Sequence, residues 1–494
     1  MRDPQVPRPG WEMWKRFLLA ALLVMLLSAT ATATAGLLEV DEYSDIIREE
    51  SPGPRLKIPE LSPEERGPQT ILLMGSDVRK DERRRGLKGN SDTMILVRLD
   101  PSKRATALLS IPRDLRIRIP GVTPPKINGA YPVGGVRLTV RAIEQALPGI
   151  EINHVVNTNF RGFKAAVNKV GCLYLDVDRR YFNDNPIAYA TINVKAGYQR
   201  LCGGPALDYV RYRHEDTDIV RGARQQDFIR QARNQVGVQS VLSDRKEFLR
   251  LFARYTDTDI RGTRQILRLL KVVAFSAGHP VREVRFRANV GPSYVTATPR
   301  QIQQTVDEFL DVDAAAGGPR ERNRPAPLLR TQRRRRSPQR SLAALNLEAA
   351  KTAGEEQALD AAANVRFPVV FPRLRVGGSI YVDVPRTYVV TDPAGRRHQA
   401  YRMVVRTGEL GAYYGIQGIT WRDPPILASP TSERTIAGRK YYLYGDGNRL
   451  RLVAIKTPRG SYWVSNTLLL SLNNRQMLAI AWSLQRIGAR PAAP

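Results

Sequence analysis

Between Phe17 and Leu38 the chain carries no charged residue, and this stretch limits what the rest of the protein can be. Phe17 to Leu27 form an unbroken apolar run, which Ser, Ala, Thr and Gly extend to Leu38. As a helix this is long enough to cross the hydrocarbon layer of a bilayer. Arg2, Arg8, Lys15 and Arg16 precede it, and Glu39, Asp41, Glu42 and Asp45 follow, a bias that keeps the amino terminus inside and sends the rest out. Residues 1–16 are therefore expected to be a basic cytoplasmic tail and residues 17–38 a transmembrane signal anchor. The Ala-Thr repeats of residues 29–35 also resemble a small-residue cleavage site, so a removed signal peptide is the alternative. The expected location is the cell membrane, single-pass, with everything of interest extracytoplasmic.

Lys and Arg number 77 against 47 Asp and Glu, a net charge of +30. Such a surplus suits phosphate-rich partners: nucleic acid, an anionic bilayer or an acidic polymer. The apolar stretch sets the basic chain across a membrane from DNA, and no helix-turn-helix or zinc pattern is visible, so no nucleic-acid partner is expected. The two cysteines, Cys172 and Cys202, lie in one segment, and outside the reducing cytoplasm they are expected to form a disulfide. Two buried, unpaired thiols are the plainer alternative.

At 494 residues the chain calls for two or three domains. Residues 39–66, acidic and Pro-rich, read as a stalk. Apolar runs at Thr70–Met74, Thr93–Leu99 and Ala105–Ile111 then read as strands. Helical spacing follows in Val136, Val140, Ile143 and Leu147, and again in Phe160, Phe163, Val167 and Val170. A helix from Val220 toward Val236, two more around residues 246–276, and one opened by Thr298 with Pro299 and Gln301 behind it complete the region. Residues 67–313 are read as one α/β domain, a mixed central sheet with flanking helices.

Residues 314–364 read as a disordered basic linker, whose Arg333–Arg336 run is taken as a solvated tether. Residues 365–490 read as a smaller α+β domain of antiparallel hairpins. Turns at Asp392–Gly395, Gly445–Asn448 and Thr457–Gly460 separate its strands, and a closing helix carries Met477, Ile480, Leu484 and Ile487. Tyr413, Tyr414, Trp421, Tyr441, Tyr442, Tyr462 and Trp463 read as cross-strand core pairs in preference to a sugar platform.

Chemistry concentrates in the first domain. Asp77 follows the first strand, Asp92 opens the second, and Arg113 and Asp114 follow the third. Lys126 and Asn128 lie on a Pro-rich loop, Arg211 and Arg213 within Tyr209–Arg213, and Asp216, Asp218, Arg221, Arg224 and Gln225 lead into a helix. Arg221 and Gln225 are four apart and share a helix face. Two carboxylates at strand ends suit Mg²⁺, which keeps oxygen ligands and is held together with substrate phosphates. Guanidinium groups supply the planar donors that phosphoryl oxygens take. Any one such Asp–Arg pair is ordinarily a surface salt bridge, so the weight lies in the set. His214, alone in a charged loop, is given no role.

The set resembles the LytR-CpsA-Psr family. That family's ordered motifs are matched by Gly75–Asp77, Ser91–Thr93, Ser110–Asp114, Lys126–Tyr131, Tyr209–Arg213 and Asp218–Gln225, a likeness running over roughly residues 69–236. The resemblance implies an Mg²⁺-dependent glycopolymer phosphotransferase with a polyprenyl diphosphate-linked glycan as donor and a peptidoglycan sugar hydroxyl as acceptor. By motif position it implies that Asp77 and Asp92 hold the metal and, with Arg113, form the catalytic set. Arg113, Arg211, Arg213, Arg221, Gln225, Lys126 and Asn128 would bind the diphosphate, with Asp114, Asp218 and Arg224 in support. It also implies a lipid tail lodged between the sheet and its helices. One position departs: Asn90 stands where the family has Arg, so one phosphate-binding charge is missing unless Arg83–Arg85 or Lys88 replaces it. Hydrolysis of the lipid diphosphate, or polymer binding and regulation without turnover, are the competing functions.

Overall fold

The computed structural model describes residues 67–77, 89–100, 102, 105–184, 191–212, 215–236, 244–260, 265, 281–311, 342–408 and 412–487, with parts of 42–62. The expected tail and anchor of residues 1–38 and the Arg333–Arg336 run lie outside these residues.

The first domain is built on three long neighbouring strands, β1 (Gln69–Asp77), β2 (Asn90–Asp100) and β3 (Ala105–Ser110), which pair antiparallel. Helix α1 (Ala130–Ala146) returns the chain to β4 (His154–Asn159), which lies parallel to β1, and α2 (Phe160–Lys169) follows. Short antiparallel pairs come next: β5 (Leu173–Val177) with β8 (Gly197–Leu201), and β6 (Tyr181–Asn183) with β7 (Ile192–Val194). Helices α3 (Gly203–Arg211), α4 (Asp218–Gln235) and α5 (Arg245–Tyr255) precede β9 (Thr256–Thr258) and β10 (Val281–Val284). A two-residue pair, β11 (Asn289–Val290) and β12 (Val295–Thr296), leads to α6 (Pro299–Leu310). The sheet order is β10-β3-β2-β1-β4-β9, mixed in direction as expected.

Alternation along the strands explains the layers. Leu72, Met74, Met94, Leu96, Ala107 and Leu109 share one face and pack with Val140 and Ile143 of α1 and Val306 and Phe309 of α6. Thr93, Ile95, Leu108 and Ser110 share the other, where α4 lies. There Gln225 donates to Thr93 Oγ1 at 3.0 Å and Gln226 donates to the Leu108 carbonyl at 3.3 Å. Helix α6 opens with the capping box read from Thr298 and Gln301.

Two boundaries differ from those read in the sequence. Within residues 39–66, Tyr43 and Ile46 are buried, Leu56, Ile58 and Leu61 pack against the first core, and Glu60 pairs with Arg137 and Arg141. The described part of the stalk is thus bound to the domain, through apolar residues spaced among its prolines. Residues 342–364 also belong to a fold, not to a linker: they carry β13 (Leu347–Ala349) and α7 (Lys351–Ala362). Helix α7 buries Gly354, Ala358 and Ala361, small residues that give little apolar signal in sequence.

The second domain is a seven-stranded antiparallel sheet with the order β16-β17-β18-β22-β21-β20-β19. Short strands β14 (Val370–Pro372) and β15 (Leu374–Val376) lead into β16 (Ile380–Thr391), β17 (Arg397–Arg406) and β18 (Tyr413–Ile419). The rest are β19 (Ser432–Ile436), β20 (Arg439–Asp446), β21 (Arg449–Thr457) and β22 (Gly460–Ser465). All three expected turns join adjacent strands; Tyr414, Tyr462 and Trp463 are almost wholly buried, but their cross-strand neighbours are Val405, Gly418 and Gln417, not other aromatic residues. The closing helix, α8 (Asn474–Trp482), is shorter than its apolar spacing suggests. After Ser483 the chain forms β23 (Leu484–Arg486), which pairs with β14.

The domains share a buried seam. Tyr174 and Tyr198, on the β5–β8 pair, pack with Trp421 and Trp463 of the second domain. At its centre Asp176 accepts from Arg402 at 3.0 Å and from the Trp463 indole at 3.3 Å.

Candidate functional site

The turn after β3 and the first turn of α4 meet at the carboxyl end of the sheet. Asp218, at the start of α4, is buried and accepts the Asp114 backbone N–H at 3.0 Å. Arg221 reaches the same carboxylate at 3.2 Å, three residues on and so on the same helix face. Arg113 Nε stands 3.8 Å from it and 3.7 Å from Asp114. Lys126 bonds Asp114 at 2.9 Å, its ammonium 5.4 Å from the Tyr294 ring centre. Two carboxylates thus fix three cations at one edge, with Arg113 and Lys126 each still partly open to solvent. A phosphoryl group brought there meets fork-shaped donors already oriented by their carboxylates.

Helix α4 comes this close because of Gly222. A Cβ there would stand 2.7 Å from Ser110 Oγ, so only glycine lets the helix lie on the end of β3. Gln225 ties the helix to β2 through Thr93 and to α3 through the Val210 carbonyl at 3.3 Å.

The other expected residues divide. Asn128 belongs to the cluster through its backbone, its N–H donating to the Arg113 carbonyl at 3.2 Å. Arg211, at the end of α3, stacks on Phe160 at 5.3 Å and stands 3.9 Å from Asp208. Arg213, His214 and the side chains of Asp77, Asn90 and Asp92 lie outside the described residues. The strands that carry the two acids are described: Asp77 is paired with Asn90, and the register slips between Gly75 and Ser76. Thr93 faces Gly75 and Ser91 faces Ser76, so Asp92 is the extra residue of a β-bulge, a device that commonly re-aims a side chain beside a site. Cys172 and Cys202 form the expected disulfide.

Arg224, grouped by sequence with the supporting residues, is wholly buried. It donates to the Tyr209 and Tyr212 carbonyls at 2.9 Å each, and to Asp216. Burial works against its charge, yet Tyr181 and Asp216 more than offset that, and its pKa is raised. Its role is to lock α3 to α4, which places Arg211 and Arg221. Two sets of neighbours escaped sequence reading because they come from far along the chain: Tyr294 beside Lys126, and Leu468–Leu470 of the second domain, which line the cleft holding Pro112, Asp218 and Gly222.

The fold and cluster define an α/β protein that gathers Arg113, Arg221 and Lys126 around two carboxylates at the end of its sheet. The LytR_cpsA_psr family pattern matches residues 31–307, over half of the chain, and the chain belongs to that family. It is 30% identical over 271 residues to the polyisoprenyl-teichoic acid–peptidoglycan teichoic acid transferase TagU of Oceanobacillus iheyensis, covering 52% of this chain and 80% of that protein. It is 34% identical over 202 residues to the TagV transferase of Bacillus subtilis, covering 40% of this chain and 51%, about half, of that protein. The crystal structure of B. subtilis TagV aligns with a TM-score of 0.41 and 28% identity over 50% of this chain and 99% of that one.

Proposed function

We propose that the protein moves a glycan-1-phosphate polymer from a polyprenyl diphosphate carrier onto a peptidoglycan sugar hydroxyl. The observation that carries this reading is the convergence of Arg113, Arg221 and Lys126 on Asp114 and Asp218, next to a sheet face that its helices do not fully cover. Leu73, Val97 and Val156, central in a six-stranded sheet, are only half-buried, on the face where α4 lies. An apolar chain laid along them would place its diphosphate at the arginines. The transferase names of the TagU and TagV relatives support the same chemistry.

In the reaction the acceptor hydroxyl oxygen bonds to the glycan-side phosphorus, and the bond from that phosphorus to the bridging oxygen breaks. Polyprenyl phosphate leaves, and the hydroxyl proton passes to a base. Charge builds on the bridging and non-bridging oxygens, where Arg113 and Arg221 stabilise it. Asp77 and Asp92, on paired strands with the bulge between them, are hard oxygen donors that fit Mg²⁺, which would supply further charge neutralisation.

The uncharged stretch of residues 17–38 supports a single-pass membrane location with the catalytic domain outside, and the Cys172–Cys202 disulfide supports an oxidising compartment.

The test incubates the full-length protein in detergent with Mg²⁺ and a short-chain polyprenyl diphosphate glycan, with and without peptidoglycan fragments. Release of polyprenyl phosphate coupled to a phosphodiester product is expected, with Arg113→Ala lowering kcat/KM about 100-fold or more. Release without product would point to the hydrolase, and binding without release would overturn the enzymatic reading. Activity undiminished by a chelator would remove the metal from the proposal.

A further inference from the structure

Arginines gather where the two domains face each other beyond the cluster. On the first domain Val284 and Phe286 point into the core, so the alternate residues Arg285 and Arg287 project outward and are exposed. Across a groove of about 970 Å³ stand Arg449, at the start of β21, and Arg475, in the first turn of α8, both exposed. With Arg282, five arginines and three carboxylates line this groove among the described residues. The carboxylates are themselves engaged. Glu308 is shared between Arg282 at 3.3 Å and Arg287 at 3.1 Å, and Glu283 is held by the buried Arg230. Burial raises the pKa of Asp446 against the pull of Arg230, Arg451 and Arg282.

The groove continues from the site. Glu283, Arg285, Asp446 and Leu470 line both it and the cleft that contains Pro112 and Asp218. Asp218, the carboxylate that gathers Arg113 and Arg221, lines that cleft, so the groove lies on the side of the cluster that faces the second domain.

We infer that the groove between the two domains binds the polymer carried by the donor when that polymer is anionic, so that the second domain selects donors by charge. This rests on the donor reading given above. Repeated phosphate or carboxylate groups would take the exposed guanidinium forks in turn with charge-assisted, bidentate bonds, while a neutral glycan offers only uncharged hydroxyl acceptors.

The test compares the full-length protein with an Arg449→Glu/Arg475→Glu variant, whose two positions are exposed and do not line the cleft that holds Asp218, and whose fold is checked by thermal unfolding. The binding probes are a fluorescent glycerol phosphate oligomer and a neutral dextran of matching length. The wild type should bind the phosphate oligomer with marked salt dependence and the dextran weakly, and the variant should bind the oligomer about tenfold less tightly or worse. KM for a donor bearing the anionic polymer should rise to a similar degree, while release of polyprenyl phosphate from a donor bearing one neutral sugar stays unchanged. Equal oligomer binding by both proteins, or no preference of the wild type for the oligomer over dextran, overturns the inference. If oligomer binding behaves as expected but the short neutral donor is never turned over, the transferase reading fails and the polyanion groove stands.

Discussion

Two arginines three residues apart on α4 have opposite consequences for the protein. Arg221 closes one side of the phosphate cluster through Asp218. Arg224 faces inward, satisfied by two backbone carbonyls and Asp216. Replacing Arg224 by Ala strands the buried Asp216 and frees the α3–α4 junction, at an expected cost of about 3–5 kcal/mol in stability. Replacing Arg221 by Ala removes a donor at the cluster, so kcat/KM should fall about 100-fold, while stability should fall less than in Arg224→Ala because the buried Asp218 keeps the Asp114 N–H and Arg113. Thermal unfolding and steady-state release of polyprenyl phosphate, measured on both variants, separate the roles. A stable, inactive Arg224→Ala protein would instead place that residue at the ligand.

At the scale of elements, the approach of α4 to β3 is the contact on which the site depends. Gly222→Val pushes a branched side chain against Ser110, and overpacking of this kind costs about 1–3 kcal/mol. Because Arg221 and Gln225 ride on the displaced helix, activity should fall further than the stability loss alone explains, with KM for the donor rising. A variant with a lowered melting temperature and an unchanged KM would show that the helix can shift without moving the cluster. These short-range features were largely legible in sequence: apolar runs marked β1, β2 and β3, the Thr298–Gln301 pair marked the cap of α6, and the Asp–Arg motifs marked the cluster itself. Pairings between distant segments were not. Strand β10 joins β3 in parallel across some 170 residues, and nothing in Val281–Val284 names that partner. Helix α7 hid in an Ala-rich segment, and Leu484 continued the helical spacing of α8 while the backbone had already turned to pair with β14. Arg224 carried a ligand's residue type and a motif position, and only burial shows it to be a clamp.

For the whole molecule, the docking of the second domain buries charge that a solvated hinge would leave in water. Asp227 of α4 lies at this seam, facing Arg451 of the second domain at 3.6 Å, with Arg230 and Gln231 beside it on its own helix and Asp176 and Asp178 adding negative charge from the first domain. Burial raises its pKa to about 6, and Arg451 and Gln231 recover only part of the shift. A carboxyl whose folded pKa lies above its unfolded value holds its proton more tightly when folded. The stability it adds is complete below about pH 4 and is lost as the pH rises through about 6. Asp227→Asn removes the titration while keeping the shape. The melting temperature of the wild type, taken relative to this variant, should therefore rise as the pH is lowered from 7.5 to 5. Parallel curves over that interval would mean that Asp227 stays ionised in the folded protein, held by its arginines, and that the seam is indifferent to pH. A wild-type melting temperature that rises relative to the variant toward pH 5 would make the seam that carries Asp227 firmer in an acidified medium.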